Sequence, residues 1–221
     1  LIRFLVPAIV VGNTCAIKPA YNTYRIALKL IECAPLGSSI MDCILPTDST
    51  TSSLISFPTV AGISFTGSVT VGKQIGQLAA VNFKPCVLEL GGSDPFLIFK
   101  GADLNSALDA AVNARFSNAG QTCISAKRFL FESSIFDQAM KYFEQKSKAF
   151  LTFGDPLNPK TTIGPMARQN LQETVLKQIK EANLNSDDIK FKYSPNNKTG
   201  FFVEPIIIDG RNLSSNNTLF E

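Results

Sequence analysis

The amino-acid sequence predicts an α/β protein with parallel strands. Short apolar stretches of strand length alternate with amphipathic stretches of helix length along most of the 221 residues. The segments predicted as strands are residues 15–17, 42–45, 62–65, 86–90, 96–99 and 128–131. The segments predicted as helices are residues 23–34, 69–80, 103–116, 135–151 and 171–182. Because this alternation is typical of βαβ units, we expect a doubly wound α/β fold.

Residues at the ends of these segments support the assignment. Thr23 stands where a helix N-cap is expected, and Pro35 follows the predicted end of the same helix. Asp103 places a carboxylate at the N-terminus of the helix that follows it, where it interacts favourably with the helix dipole. Residues 46–53, rich in Ser and Thr, are predicted to form a surface turn, and residues 212–217 a loose polar tail.

Composition and charge exclude several classes of protein. Hydrophobic residues make up 45% of the chain and charged residues 18%, which suits a soluble globular domain with a sizeable core. No apolar run reaches the roughly 18 residues that a membrane span needs, so no membrane partner is expected. The net charge of +3 is spread along the chain, so no basic patch predicts binding to nucleic acid.

The cysteine and histidine content narrows the chemistry further. The five cysteines show no C-x-x-C spacing, and their odd number argues against a disulfide framework and for a reducing, cytoplasmic location. The cysteines are Cys15, Cys33, Cys43, Cys86 and Cys123. The absence of histidine removes Ser-His and Cys-His catalysis and most zinc sites from this segment, and no metal site is predicted.

Two short motifs carry the strongest chemical signal. V-L-E-L-G-G at residues 87–92 places the carboxylate of Glu89 in an apolar strand that ends in two glycines. N-A-G-Q-T-C at residues 118–123 places the thiol of Cys123 behind a Gly-Gln-Thr turn. Each motif alone fits a buried acid or an inert structural thiol. Together they offer a nucleophile and a partly desolvated carboxylate suited to act as its base.

Further motifs follow in a fixed order along the chain. They are A-I-V-V-G-N-T-C-A-I-K-P-A at residues 8–20, S-F-T-G-S-V-T-V-G at 64–72, G-D-P-L-N-P at 154–159 and I-G-P-M-A-R at 163–168. With the two motifs above, this series resembles the aldehyde dehydrogenase superfamily. The form L-E-L-G-G-S-D-P-F at residues 88–96, combined with G-P-M-A-R, is most similar to the bacterial succinate-semialdehyde dehydrogenase branch.

The resemblance implies a domain organisation. Residues 1–91 would form the C-terminal part of a Rossmann-like NAD(P)-binding domain, and residues 92–221 the N-terminal part of the catalytic domain that carries the nucleophile. Because family members are more than twice as long, the chain is expected to be a fragment that lacks both ends and is inactive in isolation. The whole protein is expected to be a homodimer or homotetramer that acts on a small aldehyde.

The resemblance also implies residues that bind the cofactor. Gly67 and Ser68 open a helix whose free N–H groups would hold the pyrophosphate, although the residues alone favour an ordinary helix cap. Lys18 follows a strand at its carboxyl end and would contact the adenosine ribose or its 2′-phosphate. Tyr21 stands where the family usually has a glutamate that repels a 2′-phosphate, so the cofactor is expected to be NAD or NADP. The full predicted set is Lys18, Pro19, Ala20, Tyr21, Gly67, Ser68 and Leu90.

The catalytic residues implied are Cys123 and Glu89. Cys123 would add to the aldehyde carbon, and Glu89 would activate the water that hydrolyses the resulting thioester. Asn118 and Gln121 are interpreted as residues that shape the loop, and Arg128 as a member of a structural ion pair rather than a substrate ligand.

Two alternatives to this function remain open. One is a dehydrogenase that transfers the acyl group to coenzyme A, against which the presence of Glu89 argues. The other is a truncated product without catalytic activity. The sequence does not determine which aldehyde is oxidised.

Overall fold

The computed structural model describes residues 2–35, 37–194 and 199–220. The backbone divides between Leu90 and Gly91 into two compact units, Leu1–Leu90 and Gly91–Glu221. The first unit combines helices with two pairs of short parallel strands, and the second combines helices with one parallel and one antiparallel pair, so the predicted α/β class is confirmed. No helix within the described ranges is long and apolar enough to cross a lipid bilayer.

The first unit alternates helices and strands. Its described elements are α1 (Ile2–Val10), β1 (Cys15–Ile17), α2 (Tyr24–Cys33), α3 (Gly37–Ile40), β2 (Met41–Cys43), α4 (Asp48–Ser56), β3 (Ile63–Gly67), α5 (Val69–Val81) and β4 (Cys86–Leu90). Strands β1 and β2 pair in parallel, and so do β3 and β4. Leu5, Ile17, Ala27 and Met41 form a buried cluster between α1, α2 and the first strand pair. Each helix therefore buries one apolar face, as its amphipathic sequence requires.

One predicted turn of the first unit is a helix instead. Most of residues 46–53, expected to be a surface turn, belong to α4. The Thr47 hydroxyl caps this helix by accepting a hydrogen bond from the Thr50 N–H at 3.3 Å. At the other end the Lys84 ammonium donates to the carbonyl groups of Ile55 and Phe57. The prediction was wrong because these caps outweigh the weak helix propensity of a Ser/Thr run.

Helix α2 begins where the sequence predicts but without the predicted cap. Thr23 occupies the N-cap position, yet its hydroxyl donates to the Ala20 carbonyl at 3.1 Å and caps no helix N–H. A short 3₁₀ turn, Tyr21–Thr23, precedes the helix and brings the Thr23 hydroxyl close to the Ala20 carbonyl.

The second unit is built around helix α6. Its described elements are β5 (Pro95–Ile98), α6 (Leu104–Phe116), β6 (Arg128–Phe131), α7 (Phe136–Phe150), α8 (Gln169–Glu181), β7 (Ile189–Lys192) and β8 (Ile206–Ile208). Strands β5 and β6 pair in parallel. Leu108 and Phe116 of α6 pack with Phe143 of α7 in the largest buried cluster. Phe143 also contacts Phe129 of β6, with ring centroids 4.7 Å apart. Asp103 stands at the N-terminus of α6, as the sequence predicts, and also caps the helix, since its carboxylate accepts from the backbone N–H groups of Asn105 and Ser106.

An antiparallel strand pair lies outside the elements predicted from the sequence. Strands β7 and β8 pair with a register irregularity between Ile189 and Phe191. The tail expected to be loose is partly fixed, because Gly210–Asn212 forms a 3₁₀ turn and the Asn217 amide donates to the Ala182 carbonyl at 3.1 Å. These contacts join distant parts of the chain, so local patterns do not indicate them.

Candidate active site

The carboxyl ends of β3 and β4 meet at one edge of the first unit. The parallel register places Thr66 opposite Glu89 and Gly67 opposite Leu90, and Ser68 follows at once. Four of the residues predicted from the sequence, Gly67, Ser68, Glu89 and Leu90, are thereby brought to the same edge. In parallel α/β sheets this edge is where ligands bind.

The Glu89 carboxylate forms an ion pair at this edge. Arg3 of α1 places its Nη2 atom 3.0 Å from Glu89 Oε1. The Glu89 side chain is 31% exposed and the Arg3 side chain 73% exposed. The ion pair joins α1 to the end of β4 and gives the carboxylate a partner at this edge. Glu89 is therefore less isolated than its apolar sequence context indicates.

The start of α5 forms an exposed helix N-terminus. Ser68 caps the helix by accepting a hydrogen bond from the Val71 N–H at 3.3 Å. Gly72, one turn further, has no room for a side chain, because a Cβ atom there would lie 2.4 Å from Leu90 Cδ2. This close approach fixes α5 against the end of β4. The remaining first-turn N–H groups and the helix dipole suit this end to bind an anion such as a phosphate.

The predicted ribose-binding segment follows β1 directly. Lys18 is exposed, Pro19 is half-buried and Ala20 has extended backbone. Tyr21 is 92% exposed at the start of the 3₁₀ turn. The side chains of Lys18 and Tyr21 are accordingly accessible to a ligand.

The thiol of Cys123 lies in the second unit on a bent loop. This Cys123 loop comprises residues 117–127, between α6 and β6. Three successive residues have left-handed backbone: Asn118 at φ 53°, Ala119 at φ 55° and Gly120 at φ 74°. Asn and Gly tolerate this region, whereas Ala is disfavoured there. The bend at Ala119 is therefore maintained by contacts of the surrounding structure.

Side-chain amides supply some of these contacts. The Gln121 amide nitrogen donates to the Asn118 carbonyl at 3.2 Å, and the Gln121 amide oxygen accepts from the Ala167 N–H at 3.0 Å. Ala167 belongs to the I-G-P-M-A-R motif. Asn118 and Gln121 thus hold the bend, in agreement with their interpretation as residues that shape the loop.

A cation lies close to Cys123. The Lys127 ammonium donates to the Gly92 carbonyl, and a Cβ atom added at Gly92 would lie 3.7 Å from the Cys123 carbonyl oxygen. Burial lowers the pKa of Lys127, the charge of Arg115 lowers it further, and the charges of Asp94 and Cys123 act in the opposite direction. Cys123 therefore lies on a loop that also carries an ammonium group, four residues further along the chain.

The other cysteines have different surroundings. Burial raises the pKa of the thiols of Cys15, Cys43 and Cys86, which lie on strands. Cys33, at the end of α2, is exposed like Cys123. Exposure alone does not distinguish Cys33 from Cys123; the bent loop and the nearby cation do.

The Arg128 guanidinium binds a backbone carbonyl group instead of a carboxylate. Its Nε atom donates to the Ser93 carbonyl at 2.7 Å, and Nη2 donates to the same oxygen. Within the described residues no carboxylate forms a salt bridge with Arg128, so the predicted ion pair was wrong although the role is structural. Arg3 and Lys127, by contrast, were not singled out as site residues, because nothing near them in the sequence indicates their partners.

Comparison with known proteins gives a consistent result. The family model described as "Aldehyde dehydrogenase family" matches residues 1–219. The chain is 35% identical over 210 residues to a succinate-semialdehyde dehydrogenase [NADP(+)] of Mycobacterium avium, covering 94% of this chain and 44% of that protein. The chain therefore spans about half the length of the curated relatives it matches.

Solved structures show the same similarity. A succinic semialdehyde dehydrogenase from Streptococcus pyogenes in complex with NADP⁺ matches with a TM-score of 0.87 and 31% identity, over 98% of this chain and 48% of that one. An NADP-dependent enzyme of E. coli matches with a TM-score of 0.88 and 30% identity, over 98% of this chain and 45% of that one. On its sequence motifs, its fold and these matches, the chain belongs to the aldehyde dehydrogenase family.

Proposed function

We propose that the protein containing this chain oxidises an aldehyde to a carboxylic acid with NAD or NADP. The observation that carries the proposal is the exposed Cys123 thiol on an anchored, bent loop beside the Lys127 ammonium. A cysteine of this kind is suited to covalent catalysis at a carbonyl carbon.

The proposed chemistry begins at Cys123. Its thiolate adds to the aldehyde carbon, and the former carbonyl oxygen becomes the oxyanion of a thiohemiacetal that the Cys123 backbone N–H would stabilise. NAD or NADP, held by residues such as Lys18, Gly67 and Ser68, would supply the acceptor for the hydride of this carbon, and loss of that hydride would leave a thioester on Cys123. Water then attacks the thioester, Glu89 accepts its proton, and the carboxylic acid leaves as the thiolate is restored.

The cofactor would lie along the first unit. We assign residues 1–91 to the NAD(P)-binding domain and residues 92–221 to the nucleophile-bearing domain. The exposed N-terminus of α5, at Gly67 and Ser68, fits a pyrophosphate, and the accessible Lys18 and Tyr21 fit the adenosine ribose and a 2′-phosphate. Pro19, Ala20 and Leu90 complete the set. The names of the similar enzymes, which include NADP, support a cofactor of this type.

The names of the relatives also support a substrate. We propose a small semialdehyde acid such as succinate semialdehyde. We further propose that the protein assembles as a homodimer or homotetramer.

The test is a substrate and cofactor screen of the whole protein. The absorbance of NADH or NADPH is followed with succinate semialdehyde and other aldehydes, for the wild type, Cys123→Ser and the control Cys33→Ser. We expect the Cys123→Ser variant to bind cofactor but lose activity, and Cys33→Ser to keep it. Full activity of Cys123→Ser would refute the assignment, and a requirement for coenzyme A would replace hydrolysis by acyl transfer.

A further inference from the structure

The side chain of Arg115 contacts the Cys123 loop on both sides of the cysteine. Arg115 lies in the last turn of α6 and is half-buried. Its Nη2 atom donates to the Gly120 carbonyl at 3.2 Å, and its Nη1 atom donates to the Ala126 carbonyl at 3.0 Å. These two carbonyl groups stand three residues before and three residues after Cys123. A single guanidinium therefore joins both arms of the loop.

The backbone at Gly120 is adapted to this contact. Gly120 has a left-handed φ of 74°, and a Cβ atom there would lie 1.8 Å from Arg115 Nη2. Any side chain at Gly120 would both strain the bend and displace the guanidinium. The glycine before the Gln-Thr-Cys sequence thus leaves the space that Arg115 occupies.

The two arms of the loop do not depend equally on Arg115. In the arm that follows Cys123, the Ala126 N–H donates to the Ala114 carbonyl at 3.2 Å. The Ser125 hydroxyl, which is 2% exposed, donates to the same carbonyl oxygen at 3.0 Å. That arm remains attached to α6 without Arg115. The left-handed bend, which includes the disfavoured Ala119, is held by the Gln121 side chain on one side and by the guanidinium at Gly120 on the other, so the loss of Arg115 removes one of its two side-chain anchors.

We propose that Arg115 is a positioning residue that holds the bend of the Cys123 loop and so sets where the thiol is presented. The proposal rests on the proposed role of Cys123 as nucleophile. A planar guanidinium can donate to two separated carbonyl oxygens at once, whereas a lysine ammonium on a flexible stem cannot reproduce this fork. Burial lowers the pKa of Arg115, but an arginine remains charged throughout the working range of a folded protein.

The first test measures the loop itself by amide hydrogen exchange of Arg115→Lys. The matched control is Arg211→Lys, which alters an arginine of the same unit that is paired with Asp209. In Arg115→Lys we expect exchange in residues 117–122 to rise by roughly tenfold or more, since hydrogen bonds from a charged group are lost. Strand β6 should be unchanged, and Arg211→Lys should leave the loop unchanged. Unchanged exchange in the loop, or a uniform rise through the second unit, would overturn the proposal.

The second test uses the steric relation between Gly120 and Arg115. Gly120→Ala should raise exchange in the loop strongly in the wild-type background and less in the Arg115→Gln background, where no guanidinium remains to be displaced. Equal effects of Gly120→Ala in both backgrounds would contradict direct coupling of the two residues.

The third test follows the thiol and the reaction. Alkylation by iodoacetamide, resolved by peptide mass spectrometry, should change at Cys123 and not at Cys33 in Arg115→Lys. In the whole protein, kcat should fall by roughly tenfold or more while the KM for NAD(P) stays constant. A protein that oxidises no aldehyde would refute the proposed function but leave the exchange tests valid. Full activity and unchanged Cys123 alkylation would refute the positioning role alone.

Discussion

Arg3 Nη2 lies 3.0 Å from Glu89 Oε1, so the carboxylate at the end of β4 is paired with a cation from helix α1. The two residues are far apart in the sequence, and the contact joins the helix to the edge of the strand pair that carries Gly67 and Ser68. The carboxylate proposed as the base is therefore held by a partner from another element of the first unit.

Replacement of Arg3 should cost little stability. In Arg3→Met the free energy of unfolding should fall by at most about 1 kcal/mol, because an ion pair with a largely exposed arginine contributes roughly 0–1 kcal/mol. Arg25→Met, at an exposed position of α2, is the matched control for urea unfolding. A loss well above that of the control and above this range would show that Arg3 contributes more than an exposed ion pair.

The side chain at position 21 should influence the choice of cofactor. Tyr21 is 92% exposed, so a carboxylate in its place could reach the ribose hydroxyls and would repel a 2′-phosphate. Tyr21→Glu should shift the ratio of kcat/KM values toward NAD by roughly tenfold, about 1.4 kcal/mol, and the uncharged Tyr21→Gln should shift it less. Equal shifts in the two variants, or a wild type that already rejects NADP by about a hundredfold, would assign the choice to other residues.

Phe83, at the end of α5, has a left-handed backbone conformation that is unfavourable for an aromatic residue. The N–H groups of Phe83 and Lys84 donate to the carbonyls of Ala80 and Ala79, a Schellman arrangement that places Phe83 at φ 53°. Its side chain is 97% exposed, so little packing is lost on its removal. Phe83→Gly should raise the free energy of unfolding by about 0.5–1 kcal/mol. In thermal unfolding of the chain this corresponds to an increase in Tm of about 1–4 °C.

Asn183 provides the control for that measurement. It has a φ of 49° just beyond α8, and asparagine tolerates left-handed backbone better than phenylalanine does. Asn183→Gly should therefore change Tm less than Phe83→Gly. A lower Tm for Phe83→Gly would mean that the aromatic ring contributes packing that its exposure does not indicate.

Asp209 should make stability depend on pH in the acidic range. Its carboxylate accepts hydrogen bonds from the Arg211 guanidinium, which hold the pKa of Asp209 below its ordinary value, while burial acts against this and Lys190 adds a weaker attraction. A lowered folded-state pKa contributes stability above the unfolded-state pKa of about 3.9, and this contribution is lost as the pH falls through the folded-state pKa.

The variant Asp209→Asn isolates this contribution. Urea unfolding should show the wild type more stable than Asp209→Asn near neutral pH, with the difference shrinking as the pH falls below about 4. A difference that stays constant across this range would indicate that packing or hydrogen bonding, rather than ionisation, accounts for the effect.

The elements that sequence patterns predict best are those whose signals are local. Strands β4 and β6 have the predicted bounds, and Asp103 and Ser68, which the sequence places at helix starts, cap α6 and α5. Helix α4 and the β7–β8 pair were not predicted, because a distant Lys84 caps the first and distant strands form the second. Local preferences cannot indicate such long-range contacts.

The candidate site also contains residues that the sequence indicates and residues that only the structure shows. Cys123 and Glu89 are visible in the sequence because their motifs are short and distinctive. Arg115 and Lys127 are not, because they donate to backbone carbonyl groups, which every residue of the chain carries. Only the folded chain shows which carbonyls a given cation reaches.

The measurement that tests the central claim most directly is rapid mixing of Glu89→Gln with aldehyde and cofactor. The amide keeps the shape of the side chain but cannot accept a proton from water, so the thioester on Cys123 should form without being hydrolysed. We expect a burst of reduced cofactor of about one equivalent per site, followed by a stall, with the acyl group detected on the Cys123 peptide. Normal steady turnover by Glu89→Gln would contradict the assignment of Glu89 as the base.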